Sequence, residues 1–237
     1  MAANRPVSVA PLLDALTAHQ MITRIEREVR QVILGKDDVI RLAVTCLIAG
    51  GHLLVEDVPG VGKTTLARTL AKVTTGSFRR IQFTSDLLPS DIVGVAVYDQ
   101  TAQEFRFHPG PVFANVLLAD EINRATPKTQ SALLEAMSDR QVTVEGQTRP
   151  LPDPFLVVAT QNPLEIVGTY PLPESQLDRF LMRVVMGYPA PEAELQLMAG
   201  HSNEDALRQV SQACSTTDLV ALRRTVGTVR VEDSLLS

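Results

Sequence analysis

The stretch that most constrains the fold is residues 56–65, which read EDVPGVGKTT. An apolar run precedes it at residues 53–55, and a helix-like pattern follows at residues 66–71. A strand, a glycine-rich turn, a Lys-Thr pair and a helix form a cradle for phosphate, because backbone N–H groups and the helix dipole both face the anion. Lys63 would reach the β- and γ-phosphates, and Thr64 would complete the shell of a magnesium ion. The other predicted cradle residues are Pro59, Gly60, Val61, Gly62 and Thr65.

One position departs from the pattern G-x-x-x-x-G-K-[ST], because Asp57 stands where the first glycine is expected. Aspartate tolerates left-handed backbone conformations better than most residues, so the turn can still form. A carboxylate beside a triphosphate is nevertheless unusual. The motif alone therefore leaves open an ordinary loop that leads into a helix and carries GKT by chance.

Composition narrows the class of protein. The 237 residues, 45% of them hydrophobic, suffice for one large α/β domain with an appendage. The 22 Lys and Arg against 27 Asp and Glu disfavour nucleic acid as the main partner. The two cysteines and four histidines show no metal or redox spacing. No signal peptide is visible, and the longest apolar stretch falls short of the roughly 18 residues of a membrane span, so we expect a cytoplasmic protein with no transmembrane segment.

Helices and strands are predicted to alternate along the chain. The predicted helices are at residues 17–34, 37–49 and from 127, and the predicted strands after 53–55 are at 80–84, 112–119, 155–160 and 182–186. Two hairpins are predicted, at 95–98 with 104–107 and at 141–144 with 148–151. Between the first two helices, Ile33 and Gly35 are candidates to contact a nucleotide base, although ordinary helix packing explains this segment equally well.

Two strand ends carry polar groups. The apolar run at 112–119 ends in Asp120 and Glu121, which indicates a buried strand with carboxylates at its C-terminal end, where α/β sheets bind ligands. Asp120 can hold magnesium directly or through water, and Glu121 can orient and deprotonate an attacking water. Asn162 follows the next strand and can bind the γ-phosphate or that water, but an Asn-Pro pair is also a common turn.

The chain divides into three predicted parts. Residues 1–15 form a loose arm, residues 16–188 an α/β nucleotide-binding domain, and residues 189–237 a helical appendage. The linker is predicted at YPAP, residues 188–191, and further helices at 192–199, 204–213 and 216–226.

The order of these elements resembles the AAA+ ATPases, and five segments narrow the resemblance to the MoxR family. They are DLLPSDIVG at 86–94, GPVFAN at 110–115, LADEINRA at 118–125, ATQNP at 159–163 and QLDRF at 176–180, within a match of residues 20–200 or so. The resemblance implies a three-layer α/β P-loop sandwich whose five-stranded parallel sheet has the order 5-1-4-3-2, followed by a partial helical lid. It also implies ATP and Mg²⁺ as cofactors.

The resemblance also implies roles by position. Lys63 and Thr64 match Walker A, Asp120 and Glu121 match Walker B, and Asn162 matches sensor 1. Arg179 matches the arginine finger that enters the neighbouring subunit's site, and Arg124 is a second interface candidate. Such catalysis depends on assembly, so a homo-oligomeric ring, a hexamer, is implied. The two hairpins would point toward the pore, and a von Willebrand factor A-domain protein would be a partner together with a protein client.

The helical appendage departs from the family pattern. AAA+ lids carry a sensor-2 arginine on a later helix, and Arg223 and Arg224 come too early to replace it. We therefore expect a truncated chain whose ATP turnover is weaker than that of a form with a full lid. ATP-driven remodelling of protein complexes is the leading hypothesis. A magnesium-chelatase-like motor subunit and a nucleotide-gated assembly switch with little turnover are alternatives, and a DNA helicase is the least favoured.

Overall fold

The computed structural model describes residues 11–58, 60–165, 167–188, 203–230 and 232. Its helices are α1 Ala15–Arg30, α2 Asp37–Ala49, α3 Lys63–Val73, α4 Pro89–Val93, α5 Pro127–Asp139, α6 Glu174–Leu177, α7 Asn203–Gln209 and α8 Thr216–Val226, with a 3₁₀ turn at Ile122–Arg124. Its strands are β1 Leu53–Glu56, β2 Phe78–Gln82, β3 Gly94–Asp99, β4 Glu104–Pro109, β5 Val116–Asp120, β6 Gln141–Val144, β7 Gln147–Pro150, β8 Leu156–Gln161 and β9 Met182–Val184. In the described part of the chain, no helix is long and apolar enough to cross a membrane.

Five parallel strands form the central sheet in the order β2-β5-β8-β1-β9. Counted along the chain among themselves, these are strands 2-3-4-1-5, which is the predicted order 5-1-4-3-2 from the opposite edge. The α/β class with a five-stranded parallel sheet is confirmed. Because β1, β8 and β5 are neighbours, their C-terminal ends lie side by side at one edge, where open α/β sheets bind ligands.

Strand alternation divides the apolar side chains between two layers. In β1, Leu53 and Val55 pack with α1, α2 and α3, whereas Leu54 packs on the opposite face with α4 and α5. β5 and β8 follow the same alternation, and all three strands are buried from end to end except at Gln161. Successive strand side chains point to opposite faces, so this pattern requires cover on both sides of the sheet. A sandwich of helices, sheet and helices follows.

The helices α7 and α8 pack on the same side of the sheet as α1–α3 and share their apolar core. Lys72, near the end of α3, donates from Nζ to the carbonyl oxygens of Leu207 and Arg208, at 2.6 and 2.8 Å. The helix predicted at 216–226 is confirmed, and the one predicted at 204–213 ends at residue 209. Residues 189–191 of the predicted linker, the helix predicted at 192–199 and the first ten residues of the predicted arm lie outside the described residues. The boundaries of arm, domain and lid stay predictions.

Both predicted hairpins are present as antiparallel pairs, β3–β4 and β6–β7. Tyr98 and Phe105 face each other across β3–β4 with ring centroids 5.3 Å apart, and Phe105 is 72% exposed. Phe107 instead packs against Phe113, and the guanidinium of Arg149 from β7 lies 4.1 Å from its ring centroid. One aromatic residue therefore projects outward, and the other joins the two hairpins. Their direction toward a pore stays a prediction.

Several predicted boundaries are wrong. The strand predicted from residue 112 begins at Val116, because residues 111–115 form a turn in which Asn115 hydrogen-bonds Ser77 and the carbonyl of Pro154. The first helix ends at Arg30 rather than at residue 34, and turns occupy residues 31–35. The second strand covers residues 78–82 rather than 80–84.

Candidate nucleotide-binding site

The loop before α3 presents backbone N–H groups to a cavity of about 340 Å³. Gly62 precedes the helix with φ of 99°, and the first helical bond runs from the N–H of Leu66 to the Gly62 carbonyl, at 3.0 Å. The N–H groups at 63–65 therefore precede the helical ladder and, in the described structure, no side chain caps them. The cavity is lined by Gly60, Gly62, Lys63, Thr64, Thr65, Arg80, Gln82, Asp120 and Glu121. The geometry is that of an anion cradle.

Asp57, the departure from the glycine pattern, is buried and fastens the loop to its neighbours. Its carboxylate accepts hydrogen bonds from the N–H groups of Val58, at 2.8 Å, and Gly187. Its own N–H donates to the carbonyl of Gln161, and its carbonyl accepts from Nζ of Lys63, both within 3.1 Å. The described residues around the cavity do not include Asp57. Its charge therefore serves loop structure rather than opposing a bound phosphate.

Asp120 ends β5 with both carboxylate oxygens engaged. Oδ1 accepts a 2.6 Å hydrogen bond from the hydroxyl of Thr160, and Oδ2 accepts one of 2.7 Å from Nη2 of Arg80. The Arg80 guanidinium on Oδ2 shows that this carboxylate attracts a cation, and the Thr64 hydroxyl lines the same cavity. Magnesium prefers such oxygen ligands and usually takes one or two carboxylates with phosphates and water. Asp120 and Thr64 therefore fit a magnesium ion.

Glu121 is held in a strained position beside Asp120. Its φ of 57° is left-handed, a conformation that costs about 1–3 kcal/mol for a residue other than glycine. Its N–H donates to Oγ1 of Thr160, and its carboxylate accepts from Nε2 of Gln82 at 2.7 Å and pairs with Arg124 at 3.1 Å. Arg124 is shared with Glu165. The pKa of Arg124 is raised, first by its hydrogen bond to Glu165 and then by the charge of Glu121. The carboxylate is thus fixed at the cavity wall.

Asn162 lies one residue beyond β8, beside the end of β1, because Gln161 pairs with Glu56 in the sheet. It is buried, and its Oδ1 accepts a 3.1 Å hydrogen bond from the N–H of Leu164. The turn foreseen for Asn-Pro is therefore present. The described lining of the cavity does not include Asn162, so its contact with a phosphate stays a prediction.

Arg179 is found away from the phosphate cavity. Its guanidinium donates to the hydroxyl of Ser138 and, at 3.4 Å, to the carbonyl of Leu134 on α5. It lines a second cavity with Ser131, Leu134, Glu135, Asp139 and Gln176. Among the described residues around the phosphate cavity Arg179 is absent. Catalysis by this arginine therefore requires the site of another subunit.

The remaining predicted residues are dispersed. Ile33 is buried in the core, Gly35 has φ of 67°, and the described cavity lining includes neither. Val61 packs partly against the core, and Pro59 lies outside the described residues.

Sequence reasoning missed three side chains that hold the carboxylates, namely Arg80, Gln82 and Thr160. Arg80 and Gln82 are two residues apart on β2, so they share one face of the strand. Thr160 is the polar residue near the end of an otherwise apolar strand and is fully buried. Strand alternation at residues 80 and 82 was the signal that could have identified the first two.

A glycine-rich loop at a helix start, facing an Asp-Glu pair two strands away, defines a P-loop nucleotide-binding protein. Residues 52–182 match the family described as "ATPase family associated with various cellular activities (AAA)". The chain belongs to this family and, by the relatives that follow, to its MoxR group.

The chain is 49% identical over 217 residues to the uncharacterized protein YeaC of Bacillus subtilis, covering 92% of this chain and 68% of that one. It is 48% identical over 209 residues to Chaperone MoxR1 of Mycobacterium tuberculosis, covering 88% of this chain and 55% of that one. A crystal structure from Cytophaga hutchinsonii, provisionally titled an ATPase, superposes with a TM-score of 0.83 at 46% identity and covers 93% of this chain and 67% of that one. The chain thus spans little more than half the length of MoxR1.

Proposed function

We propose that this chain binds ATP with Mg²⁺ and hydrolyses it to ADP and phosphate, and that turnover drives chaperone-like remodelling or maturation of protein complexes. One observation carries the proposal. Lys63 and Thr64 on α3 and Asp120 and Glu121 at the end of β5 line a single cavity at the C-terminal edge of the sheet. These are the groups that phosphoryl transfer to water requires, because that reaction depends on positioning and charge neutralisation.

Each side chain has a distinct task in this proposal. The N–H groups at 63–65 and the buried ammonium of Lys63 neutralise the β- and γ-phosphates. Thr64 and Asp120 hold the magnesium ion, which when bound offsets charge that develops on the phosphate oxygens. Glu121 orients the attacking water and accepts its proton. Asn162, beside β1, donates its amide to the γ-phosphate or to that water.

Assembly into a homo-oligomeric ring, a hexamer, completes the proposed site. Arg179, just after α6, is exposed and contacts α5 outside its own subunit's phosphate cavity, which supports a role in the adjacent subunit. Ile33 and Gly35 would contact the base of the nucleotide.

The proposed client is a protein. A relative bears the name chaperone, and the exposed Phe105 on β4 offers an aromatic contact for a polypeptide. A von Willebrand factor A-domain protein is the proposed partner, and a cytoplasmic location stays a prediction.

A nucleotide-gated assembly switch is the second candidate function. The switch needs the same cradle but no general base. Glu121 at the cavity wall favours hydrolysis, as does the strain accepted to place it there. A magnesium-chelatase-like motor subunit would share the hydrolytic site and differ in its client, so identification of the client separates it from the leading proposal.

ATP turnover and nucleotide binding of the wild type and of Glu121→Gln test the proposal. We expect Glu121→Gln to bind ATP and to lose at least about 100-fold in turnover, since a general base contributes about 10²–10⁴. Glu145→Gln, in the exposed turn between β6 and β7, makes the same change outside the cavity and should turn over like the wild type. Equal inactivity of wild type and Glu121→Gln, with assembly dependent on ATP, would establish the switch. Proteins retained by Glu121→Gln with ATP identify the client.

A further inference from the structure

A chain of side-chain hydrogen bonds joins the candidate metal carboxylate to the candidate general base. Nη2 of Arg80 donates to Oδ2 of Asp120 at 2.7 Å and to Oε1 of Gln82 at 3.2 Å. Nε2 of Gln82 donates to Oε2 of Glu121 at 2.7 Å. Arg80 therefore contacts both the carboxylate and the amide that holds the base.

The donor pattern fixes the orientation of the amide. A primary amide accepts only at its oxygen and donates only at its nitrogen. With Arg80 donating to the oxygen of Gln82, the NH₂ group faces Glu121 and restrains its carboxylate. Without the guanidinium, the amide loses one of the two partners that hold this orientation.

The same guanidinium binds a carboxylate oxygen that a metal ion would need as a ligand. Oδ1 of Asp120 is bound by Thr160, which is fully buried, whereas Oδ2 is bound by Arg80, which lines the cavity together with Asp120. Arg80 occupies Oδ2. Two cations repel each other at this separation, and the repulsion strengthens as water is excluded. Arg80 and a divalent cation therefore compete for one oxygen.

We propose that Arg80 is a metal-responsive positioning residue. It occupies Oδ2 of Asp120 and, through Gln82, restrains Glu121 until a divalent cation arrives with the nucleotide and displaces it. The displaced guanidinium no longer supports Gln82, so the amide restrains Glu121 less firmly and the carboxylate can turn to bind water. The inference rests on the proposed nucleotide site and adds the coupling between metal occupancy and the base.

Metal affinity measures the competition directly, without turnover. Binding of Mn²⁺ to the ADP-loaded protein is followed by electron paramagnetic resonance for the wild type, Arg80→Ala, Arg80→Lys and Arg79→Ala. Arg79→Ala is the matched control, since this substitution removes the same charge from the opposite face of β2. Circular dichroism and thermal unfolding verify that each variant folds.

We expect Arg80→Ala to bind Mn²⁺ about fivefold more tightly. A fivefold change in affinity corresponds to about 1 kcal/mol, which is the free energy of a partly exposed ion pair. Arg80→Lys, which keeps a cation beside Asp120, and Arg79→Ala should bind Mn²⁺ like the wild type. Unchanged or weaker binding by Arg80→Ala overturns the competition. A wild type that binds no Mn²⁺ with ADP overturns the nucleotide site itself, so the two failures are distinct.

A double-mutant cycle tests the link to Gln82. If Gln82 helps to hold Arg80 on Asp120, Gln82→Met also tightens Mn²⁺ binding, because coupling between two sites is reciprocal. In the Arg80→Ala background the same substitution should have no further effect. Additive effects of the two substitutions would show that Arg80 and Gln82 act independently and would overturn the relay.

Discussion

Gln82 donates a 2.7 Å hydrogen bond from Nε2 to Oε2 of Glu121, across the pair of neighbouring strands β2 and β5. Gln82 lies opposite Asp120 in the register, so it reaches the residue that follows Asp120. The edge strand of the sheet thus contributes directly to the position of the candidate base. The same oxygen of Glu121 is also paired with Arg124, so Oε2 is held by both an amide and a guanidinium.

Replacing Gln82 with glutamate should shift the pH dependence of ATP turnover. The substitution keeps the shape and puts a second carboxylate beside Glu121, and a like charge at this distance raises a carboxyl pKa. Since a general base must be deprotonated, the acid limb of the pH profile should move upward by about one unit or more. Steady-state turnover from pH 5 to 9 measures it. Gln82→Met removes the hydrogen bond without adding charge, and an equal shift in that variant would exclude the electrostatic cause.

The sheet could be predicted because buried parallel strands have a distinctive composition. Leu117-Leu118-Ala119 and Val157-Val158-Ala159 are apolar on both faces, and this pattern occurs where helices cover both sides. That Lys63 and Thr64 would lie close to Asp120 and Glu121 could also be predicted. Each lies where a strand ends, and the C-terminal ends of neighbouring parallel strands meet at one edge.

The partners of these residues could not be predicted in the same way. Strand alternation could have placed Arg80 and Gln82 on one face of an edge strand, but their roles depend on the register that sets Gln82 opposite Asp120. Register is a property of the paired strands rather than of one segment. The role of Asp57 likewise depends on Gly187, which lies 130 residues away in the sequence.

Acid should destabilise the protein through His52. His52 is buried: its Nδ1 accepts the N–H of Val157 at 3.0 Å, and its Nε2 lies 3.2 Å from the carbonyl of Met137. Burial lowers its pKa from 6.5 to about 4. Between these values the unfolded chain binds a proton that the folded chain does not, so stability falls as pH is lowered through 6.5 and levels off below about 4. The loss should approach about 3 kcal/mol, measured by urea unfolding at each pH.

The variant His52→Gln separates this histidine from the carboxylates, which also respond to acid. Glutamine supplies one acceptor and one donor group but does not titrate in this range. Its unfolding free energy should therefore depend less steeply on pH between 6.5 and 4. Equal slopes for the variant and the wild type would assign the acid sensitivity to other groups.

Arg223 should be structural rather than a contact for nucleotide. From α8 it donates Nε and Nη2 to the carbonyl of Leu47 near the end of α2, at 2.9 and 2.7 Å. Its side chain is 11% exposed, and burial lowers its pKa to about 10. Arg223→Met should cost about 1.5–3 kcal/mol of unfolding free energy, typical of a hydrogen bond to a charged group, and leave ATP affinity unchanged. Arg224→Met, at the exposed neighbour, controls for charge. Weaker ATP binding by Arg223→Met would place this arginine in the site.

Mixing two inactive variants should restore ATP turnover if Arg179 acts on the neighbouring subunit. Arg179→Ala keeps Glu121 but offers no arginine to its neighbour. Glu121→Gln keeps Arg179 but lacks the candidate base. Where a subunit of the first kind receives Arg179 from one of the second, both groups meet at one site. In a random equimolar ring this holds for about a quarter of the interfaces.

Turnover of each variant alone and of equimolar mixtures measures this complementation. Arg179→Ala alone should fall by about 10³ or more while binding ATP normally, because a finger acts on the transition state. A control mixture combines Glu121→Gln with Arg183→Ala, which removes the same charge as Arg179→Ala. Arg183 lies on β9 and pairs with Glu56 of β1. An Arg179→Ala and Glu121→Gln mixture no more active than its components would mean that Arg179 serves its own subunit or none. The second cavity around α5, where Arg179 rests against Ser138, would then be a structural feature of the single chain.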